Sequence, residues 1–112
     1  MAVARFQIYR SAARASVTWR LLSANNRGLG KAVAPYPTDS ECAKAVAELR
    51  ELVANGRALL TRDAQLWSWR LQLGGVDLAV SCRSYQRRLQ AQYAFRSFVE
   101  LAADAPVAGL EQ

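Results

Sequence analysis

The chain has 112 residues, of which 52% are apolar and 21% are charged, a balance typical of one globular domain and not of a disordered segment. A chain of this length buries enough surface to form a core without a metal or a disulfide. Lys and Arg number 15 and Asp and Glu number 9, which gives a net charge of +6 and biases encounters toward acidic partners.

The residue types present exclude most kinds of catalytic site. The chain has no histidine, and its 2 cysteines, Cys42 and Cys82, lie far apart in the sequence. This set excludes a structural zinc site and removes the usual base for a serine or cysteine nucleophile. No glycine-rich phosphate loop occurs either. The sequence therefore predicts no catalytic residue, no metal ligand and no cofactor, and hence no enzyme.

Neither secretion nor membrane insertion is expected. Residues 1–16 contain three arginines and no unbroken apolar stretch of about seven residues or more, which is unlike a signal peptide. No later segment approaches the roughly twenty apolar residues of a membrane span. We expect a cytoplasmic protein with reduced cysteines and no membrane partner.

Three strands are predicted at the start of the chain. Residues 6–9 and 17–21 alternate apolar and polar side chains, a period of two that predicts strands with one buried face. Residues 25–28 have the composition of a turn, and a third strand is predicted around residues 29–34. Three consecutive strands indicate an antiparallel meander.

A helix is predicted after the prolines at positions 35 and 37. Thr38 and Glu41 form a capping box, in which both side chains satisfy free amides at a helix start. Apolar side chains then recur at helical spacing, at Cys42, Val46, Leu49 and Val53. Asn55 and Gly56 are expected to supply the left-handed residue that ends the helix.

The second half of the chain shows a similar pattern. Strands are predicted at residues 58–61, 66–73 and 76–81, with Gly74 and Gly75 as the turn between the last two. A helix follows from about residue 86 to residue 102, and its apolar stripe contains Ala91, Phe95 and Phe98. Residues 104–112 show no period and are expected to form a frayed tail.

An internal repeat links the two halves. Trp19-Arg20-Leu21 recurs as Trp69-Arg70-Leu71, and residues 36–52 align without a gap on residues 85–101. A unit of about fifty residues is too small to fold comfortably alone. We therefore expect two intertwined units, about residues 4–55 and 57–103, that share one core in a single domain over residues 1–103.

The motifs of the second unit resemble those of a known family. Its third strand reads Gly75-x-x-Leu78-Ala79-x-Ser81, followed by Tyr85 and an amphipathic helix. With residues 6–9 and the Trp-Arg-Leu repeat, the chain resembles the YegP-like family of small bacterial proteins of unknown function over most of its length. The first unit departs from the motif at positions 30 and 32. The resemblance implies an α+β fold, a two-layer sandwich of two tandem β-β-β-α units whose antiparallel sheet has two helices packed on one face. It implies no activity.

Three tryptophans offer flat surfaces for a ligand, but the pattern favours packing. Trp19 shares one side of its strand with Val17 and Leu21, and Trp69 lies in the same way on the later strand. Because these sides are apolar throughout, both tryptophans are predicted to lie under the helices. Trp67 is on the same side as Trp69 but nearer to the start of the strand.

Five arginines form a candidate surface for an anion or a partner. Arg20 and Arg70 take equivalent positions of the repeat on the polar side of their strands, where two guanidiniums can hold a carboxylate or phosphate. Arg83, Arg87 and Arg88 flank the start of the second helix, where the dipole disfavours cations and free amides favour anions. The alternative for both groups is an ordinary solvated face, and a helix start misjudged by two or three residues removes the anomaly.

The two cysteines have different expected environments. Cys42 falls on the apolar stripe of the first helix and is predicted to lie in the core. Cys82 follows a strand end beside Arg83, whose guanidinium lowers the pKa of the thiol if it lies close. Without a neighbouring base, neither thiol is predicted to act as a nucleophile.

The sequence favours a non-catalytic structural or protein-interaction module that recruits a partner through the open face of the sheet. The alternative is nucleic-acid or phosphate-anion binding through the basic arginine surface, with an affinity that falls steeply as salt rises. The partner is not identified: a protein or an acidic partner fits, and nucleic acid fits less well. Since the duplicated chain completes its own sheet, a monomer is expected, and a further dimer through an edge strand remains open.

Overall fold

The computed structural model describes residues 3–11 and 15–108. The strands are β1 (Arg5–Arg10), β2 (Val17–Leu22), β3 (Gly28–Lys31), β4 (Arg57–Asp63), β5 (Leu66–Leu73) and β6 (Val76–Ser81), and the helices are α1 (Asp39–Leu52) and α2 (Arg88–Ala102). As predicted, the protein is α+β, with one six-stranded antiparallel sheet in the order β1-β2-β3-β6-β5-β4 and two helices. The edges of the sheet are therefore β1 and β4.

Alternation of side chains assigns one face of the sheet to the core. On β2 the residues of this face are Val17, Trp19 and Leu21, and on β5 they include Trp69 and Leu71. All are buried, so the prediction that Trp19 and Trp69 lie in the core is confirmed. They form a single cluster with buried side chains of α1 and α2, which shows that both helices cover the same face.

Aromatic rings fill the centre of this cluster. Phe98 of α2 stacks on Trp19 with ring centroids 6.5 Å apart, and lies 4.9 Å from Trp69. Phe6 of β1 packs edge-on against Trp19 at 5.6 Å, and Phe95 of α2 packs edge-on against Trp69 at 5.4 Å. Each indole thus has an edge-on aromatic partner, which comes from a strand in one half and from a helix in the other.

The first helix starts as predicted but ends differently. Thr38 Oγ1 accepts a hydrogen bond from the Glu41 N–H at 3.1 Å, and the predicted apolar stripe is buried. The helix continues into a 3₁₀ turn, Val53–Asn55, and Gly56 is extended with a φ of −81°, so the predicted left-handed end is wrong. Glycine is needed here for a different reason: a Cβ would collide with the side chain of Leu71.

Two elements are shorter than predicted, and the cause is the same. In each half, a tyrosine before the helix exchanges two backbone hydrogen bonds with the start of the second strand. These pairs are Tyr36 with Val17, at 2.7 and 2.9 Å, and Tyr85 with Trp67, both at 2.6 Å. Because the pairing takes the chain out of the β3–β6 ladder and keeps it extended, β3 ends at Lys31 and α2 begins only at Arg88.

The end of the described chain lies along β1, so the prediction of a frayed tail is wrong for residues 105–108. The Phe6 N–H donates to the carbonyl oxygen of Pro106 at 2.9 Å, and the Ala108 N–H donates to that of Phe6 at 2.8 Å. Ala105 is only 4% exposed. An edge strand has unpaired backbone groups on its outer side, and these residues satisfy those of Phe6. Residues 109–112 lie outside the described part of the chain.

Candidate interaction surfaces

The sheet face opposite the helices carries a row of side chains across five strands. The register aligns Gln7, Arg20, Lys31, Val80 and Arg70 in this order. Both arginines that the repeat predicts to be equivalent therefore lie on this open face. Their strands are three spacings apart, about 14 Å at the usual spacing of strands, so their partners determine whether they act together.

Arg20 is held toward the β1 edge. Its Nε donates a hydrogen bond to Gln7 Oε1 at 2.5 Å, and its guanidinium carbon lies 4.9 Å from the centroid of the Tyr9 ring. Both partners belong to β1, so the guanidinium is directed away from Arg70. Lys31 is the cross-strand neighbour of Arg20 and makes no ion pair within the described residues.

Arg70 is paired with a carboxylate. Its terminal nitrogen lies 2.8 Å from Asp77 Oδ2, and Gln72 Nε2 donates to Asp77 Oδ1 at 2.7 Å. The Arg70 and Asp77 side chains are 42% and 28% exposed, so solvent screens the pair and it stabilises the fold only slightly. The two equivalent arginines therefore do not form one anion-binding site.

The arginines around the start of α2 have separate environments. Arg87 is the N-cap residue, and its backbone N–H donates to the side chain of Gln90 at 3.2 Å. Arg88 is the first helical residue, and its guanidinium lies 5.9 Å from the centroid of the Trp67 ring. This cation–π contact offsets the unfavourable position of a cation at a helix N-terminus. Arg83 lies before the helix, in the loop after β6.

Neither thiol is activated. Burial raises the pKa of Cys42 to about 11, and the negative charge of Asp39 acts in the same direction. Burial also raises the pKa of Cys82, although neighbouring cations, Lys31 first among them, oppose that shift. The expected lowering by Arg83 is therefore outweighed, and both cysteines are free thiols.

The described part of the chain forms neither a metal-ligand cluster nor a membrane-spanning helix. Within residues 3–11 and 15–108, no three Cys, Asp or Glu side chains cluster as metal ligands would. No helix in these ranges is long and apolar enough to cross a bilayer.

The edge strand β4 forms a surface that the sequence reasoning did not locate, although it left a dimer through an edge strand open. No other part of the described chain pairs with its outer side, and Leu59 at its centre is 41% exposed. A groove of about 720 Å³ separates β4 from α2. The apolar lining of the groove includes Ala58, Leu60, Phe95 and Val99, with Arg88 and Arg96 beside it. The repeat contained a signal for this surface, because two meanders joined through their third strands leave their first strands at the edges.

Two solved structures share this architecture. YegP from E. coli, a protein of unknown function, superposes with a TM-score of 0.81 at 12% identity, over 100% of this chain and 97% of YegP. The chain has the YegP fold. A UPF0339 protein from Shewanella oneidensis superposes with a TM-score of 0.78 at 11% identity, over 96% of this chain and 90% of that one. The likeness to YegP that the motifs predicted is confirmed for the fold. No family model matches the chain, and no curated protein matches its sequence.

Proposed function

We propose that the protein is a non-catalytic protein-interaction module that docks an extended polypeptide segment along the edge strand β4. The observation that carries the proposal is the difference between the two edges of the sheet. On β1, Phe6 is hydrogen-bonded on its outer side to Pro106 and Ala108, whereas no described segment pairs with the outer side of β4. An uncovered edge strand presents a row of backbone donors and acceptors to a further strand.

The backbone groups of β4 that face outward follow from the comparison with β1. Ala58 takes the position in β4 that Phe6 takes in β1, since each pairs with the leucine of the Trp-Arg-Leu repeat. The outer N–H and C=O of Phe6 hold the C-terminal segment. By the same geometry, Ala58, Leu60 and Arg62 direct their N–H and C=O groups away from β5.

The groove beside β4 supplies the side-chain contacts. Alternate residues of an added strand would point toward α2, into the space lined by Leu60, Phe95 and Val99. With Arg88, Gln92, Arg96 and Glu100 also lining it, the groove offers both apolar and polar contacts, so main-chain bonding gives affinity and the groove gives selectivity. The open sheet face, which the sequence favoured for recruitment, has fewer unpaired groups because Arg20 and Arg70 already have partners.

We also infer two tandem β-β-β-α units, about residues 4–55 and 57–103, in one domain over residues 1–103. Matching irregularities support this: each half has one extra residue opposite its second strand, Leu29 in β3 and Leu78 in β6. These two leucines align in the sequence repeat. The tyrosine bridges also match between halves. The equivalence of β1 and β4 depends on this duplication.

Nucleic-acid or phosphate binding through the arginines is the second candidate, favoured by the net charge and by the neighbours Arg20 and Lys31. The geometry supports it less, because Arg20 is held toward β1 and Arg70 is paired with Asp77, so these two guanidiniums do not converge on one anion. Binding to a short duplex and a single strand at low and moderate salt tests it, and absence of binding at low salt excludes it. The two free thiols support a reducing, cytoplasmic location for either function.

Peptide selection tests the docking proposal. Short random peptides are displayed and selected on the immobilised protein, and amide hydrogen exchange is then measured with and without each selected peptide. We expect exchange to slow at Ala58, Leu60 and Arg62, because an added strand hydrogen-bonds their outer N–H groups.

Two variants locate the binding site. Ala58→Pro removes an outward N–H without breaking a bond to β5, so peptide binding should be lost while circular dichroism shows an unchanged fold. Arg20→Gln is the matched control on the open face and should bind as the wild type does. Peptide binding that is lost in Arg20→Gln and kept in Ala58→Pro would place the docking site on the open face instead. Failure to select any peptide on protein that is monomeric at the concentration used would overturn the proposal, because a second copy paired on β4 would occupy the same backbone groups.

A further inference from the structure

We infer that the strand that docks on β4 is the β4 strand of a second copy of this chain, running antiparallel across a twofold axis at Leu60. The inference rests on the proposed docking edge and names its occupant. Two six-stranded sheets would then join into one continuous sheet. The observation that carries it is the order of side chains along β4, whose sequence reads RALLTRD.

Two of the three charges of β4, Arg57 and Asp63, are complementary to those of its own antiparallel copy, and the third, Arg62, lies opposite the uncharged Ala58. With Leu60 opposite Leu60, the cross-strand pairs are Arg57–Asp63, Ala58–Arg62 and Leu59–Thr61. Symmetry produces each unlike pair twice, so two ion pairs close the two ends of the added ladder. At the centre of the ladder, the uncharged residues 59–61 lie opposite residues 59–61 of the second copy, and Leu59 is 41% exposed. Opposite charges directly across a ladder stabilise it and like charges destabilise it.

Hydrogen bonding selects the same register. A twofold axis at Leu60 places outward-facing residues opposite outward-facing residues along the whole strand, which gives about six backbone hydrogen bonds. An axis at Leu59 or Thr61 shortens the overlap and moves Arg57 away from Asp63. The register with most hydrogen bonds is therefore also the register in which the charges match.

The two charged residues are available for this contact. Arg57 and Asp63 are both exposed, and neither makes an ion pair within the described residues. Their partners on β5, Gln72 and Leu66, place both side chains on the open face, so they approach each other on one side of the joined sheet. The duplicated sequence predicted a monomer because it completes one sheet, but that sheet still ends in an unpaired β4.

Charge reversal with rescue tests the inference. Sedimentation equilibrium across a concentration series should show a dimer for the wild type. Arg57→Asp alone and Asp63→Arg alone each place like charges at both ends of the ladder and should weaken the dimer by about tenfold or more. An equimolar mixture of the two variants should dimerise as the wild type does, because each acidic position of one chain then faces a basic position of the other.

The controls separate this inference from the docking proposal. Arg27→Asp makes the same charge change in the turn before β3 and should leave the dimer intact, and circular dichroism checks that every variant is folded. A dimer that survives both reversals, or a mixture that stays monomeric, overturns the inference. A wild type that is monomeric at every concentration also overturns the inference. It does not overturn the docking proposal, which is tested separately by peptide selection and by amide exchange in β4.

Discussion

Gly30→Ala is expected to destabilise the protein through a clash at the centre of its core. A Cβ on Gly30 would lie 2.5 Å from two carbons of the Phe98 ring and 2.8 Å from Trp69, whereas carbon contacts need about 3.5 Å. Phe98 is fully buried between the two indoles and has no free space to move into. The ring or the strand must therefore shift by about 1 Å.

The size of the effect follows from two opposing contributions. Overpacking a core costs about 1–3 kcal/mol, and replacing a glycine recovers roughly 0.5–1 kcal/mol by restricting the unfolded chain. We expect a net loss of about 1–2 kcal/mol, which lowers the melting temperature by roughly 5–15 °C in a domain of this size. Urea unfolding followed by tryptophan fluorescence measures the loss, and its slope should be unchanged.

A double-mutant cycle identifies the cause. Phe98→Leu removes ring atoms from the site of the clash, so Gly30→Ala should cost less in the Phe98→Leu background than in the wild type. Additive losses would show that the two positions are not in contact. A Gly30→Ala variant as stable as the wild type would refute the packing argument itself.

Four further predictions concern a turn, the two thiols and the open face. Ala64 and Gln65 form the β4–β5 turn at φ values of 50° and 66°, so replacing them by Asn-Gly should raise the unfolding free energy by about 1 kcal/mol in thermal unfolding. Burial raises the pKa of Cys42 from 9.0 to about 11, so the folded state favours the neutral thiol. The neutral thiol therefore contributes to stability below pH 9, and this contribution is lost as the pH rises toward 11. Urea unfolding between pH 9 and 11 should show the loss. At pH 7 Cys82 should react slowly with iodoacetamide in the folded protein and at the rate of a free thiol after unfolding. Asp77→Asn should cost less than about 1 kcal/mol, with a smaller difference at high salt, since the ion pair is screened.

Much of the fold is predictable because its signals are local. The alternation in β2 and β5 gives the buried face, and the capping box at Thr38 gives the start of α1. Gly74 and Gly75 both have positive φ, as their turn requires. What could not be predicted depends on contacts distant in sequence. Residue 56 must be glycine because the side chain of Leu71 lies against it. The start of α2 is set by a hydrogen-bonded bridge across the sheet.

The open face shows why the candidate site was only partly predictable. Simple alternation from the buried Ala79 places Asp77 on the core side, away from Arg70. The bulge at Leu78 adds one residue and moves Asp77 opposite Gln72, on the open face, where it pairs with Arg70. A change of one residue in register thus converts a free arginine into an ion-paired one. The positions of the five arginines could be predicted, but their partners could not.

The open edge at β4 follows from the way in which the proposed duplicated unit closes on itself. After α1 the chain passes through Val53–Asn55 directly into β4, whereas after α2 it reaches β1, where residues 105–108 pair with Phe6. The first connection is used to form β4, so only the second is available to cover an edge. One edge is therefore covered by the chain itself at Phe6, whereas no described residue covers the other, which is left for a further strand.

The charges of β4 then decide which strand that is. An edge without proline or charge pairs with many strands, and charges at defined positions restrict the choice. Arg57 and Asp63 stand at opposite ends of β4, with the uncharged residues 58–61 and then Arg62 between them. A parallel copy would set each charge against its like, whereas an antiparallel copy sets each against its opposite. The two residues that disfavour pairing of most other strands with this edge therefore favour pairing with β4 of a second copy, in one direction and one register.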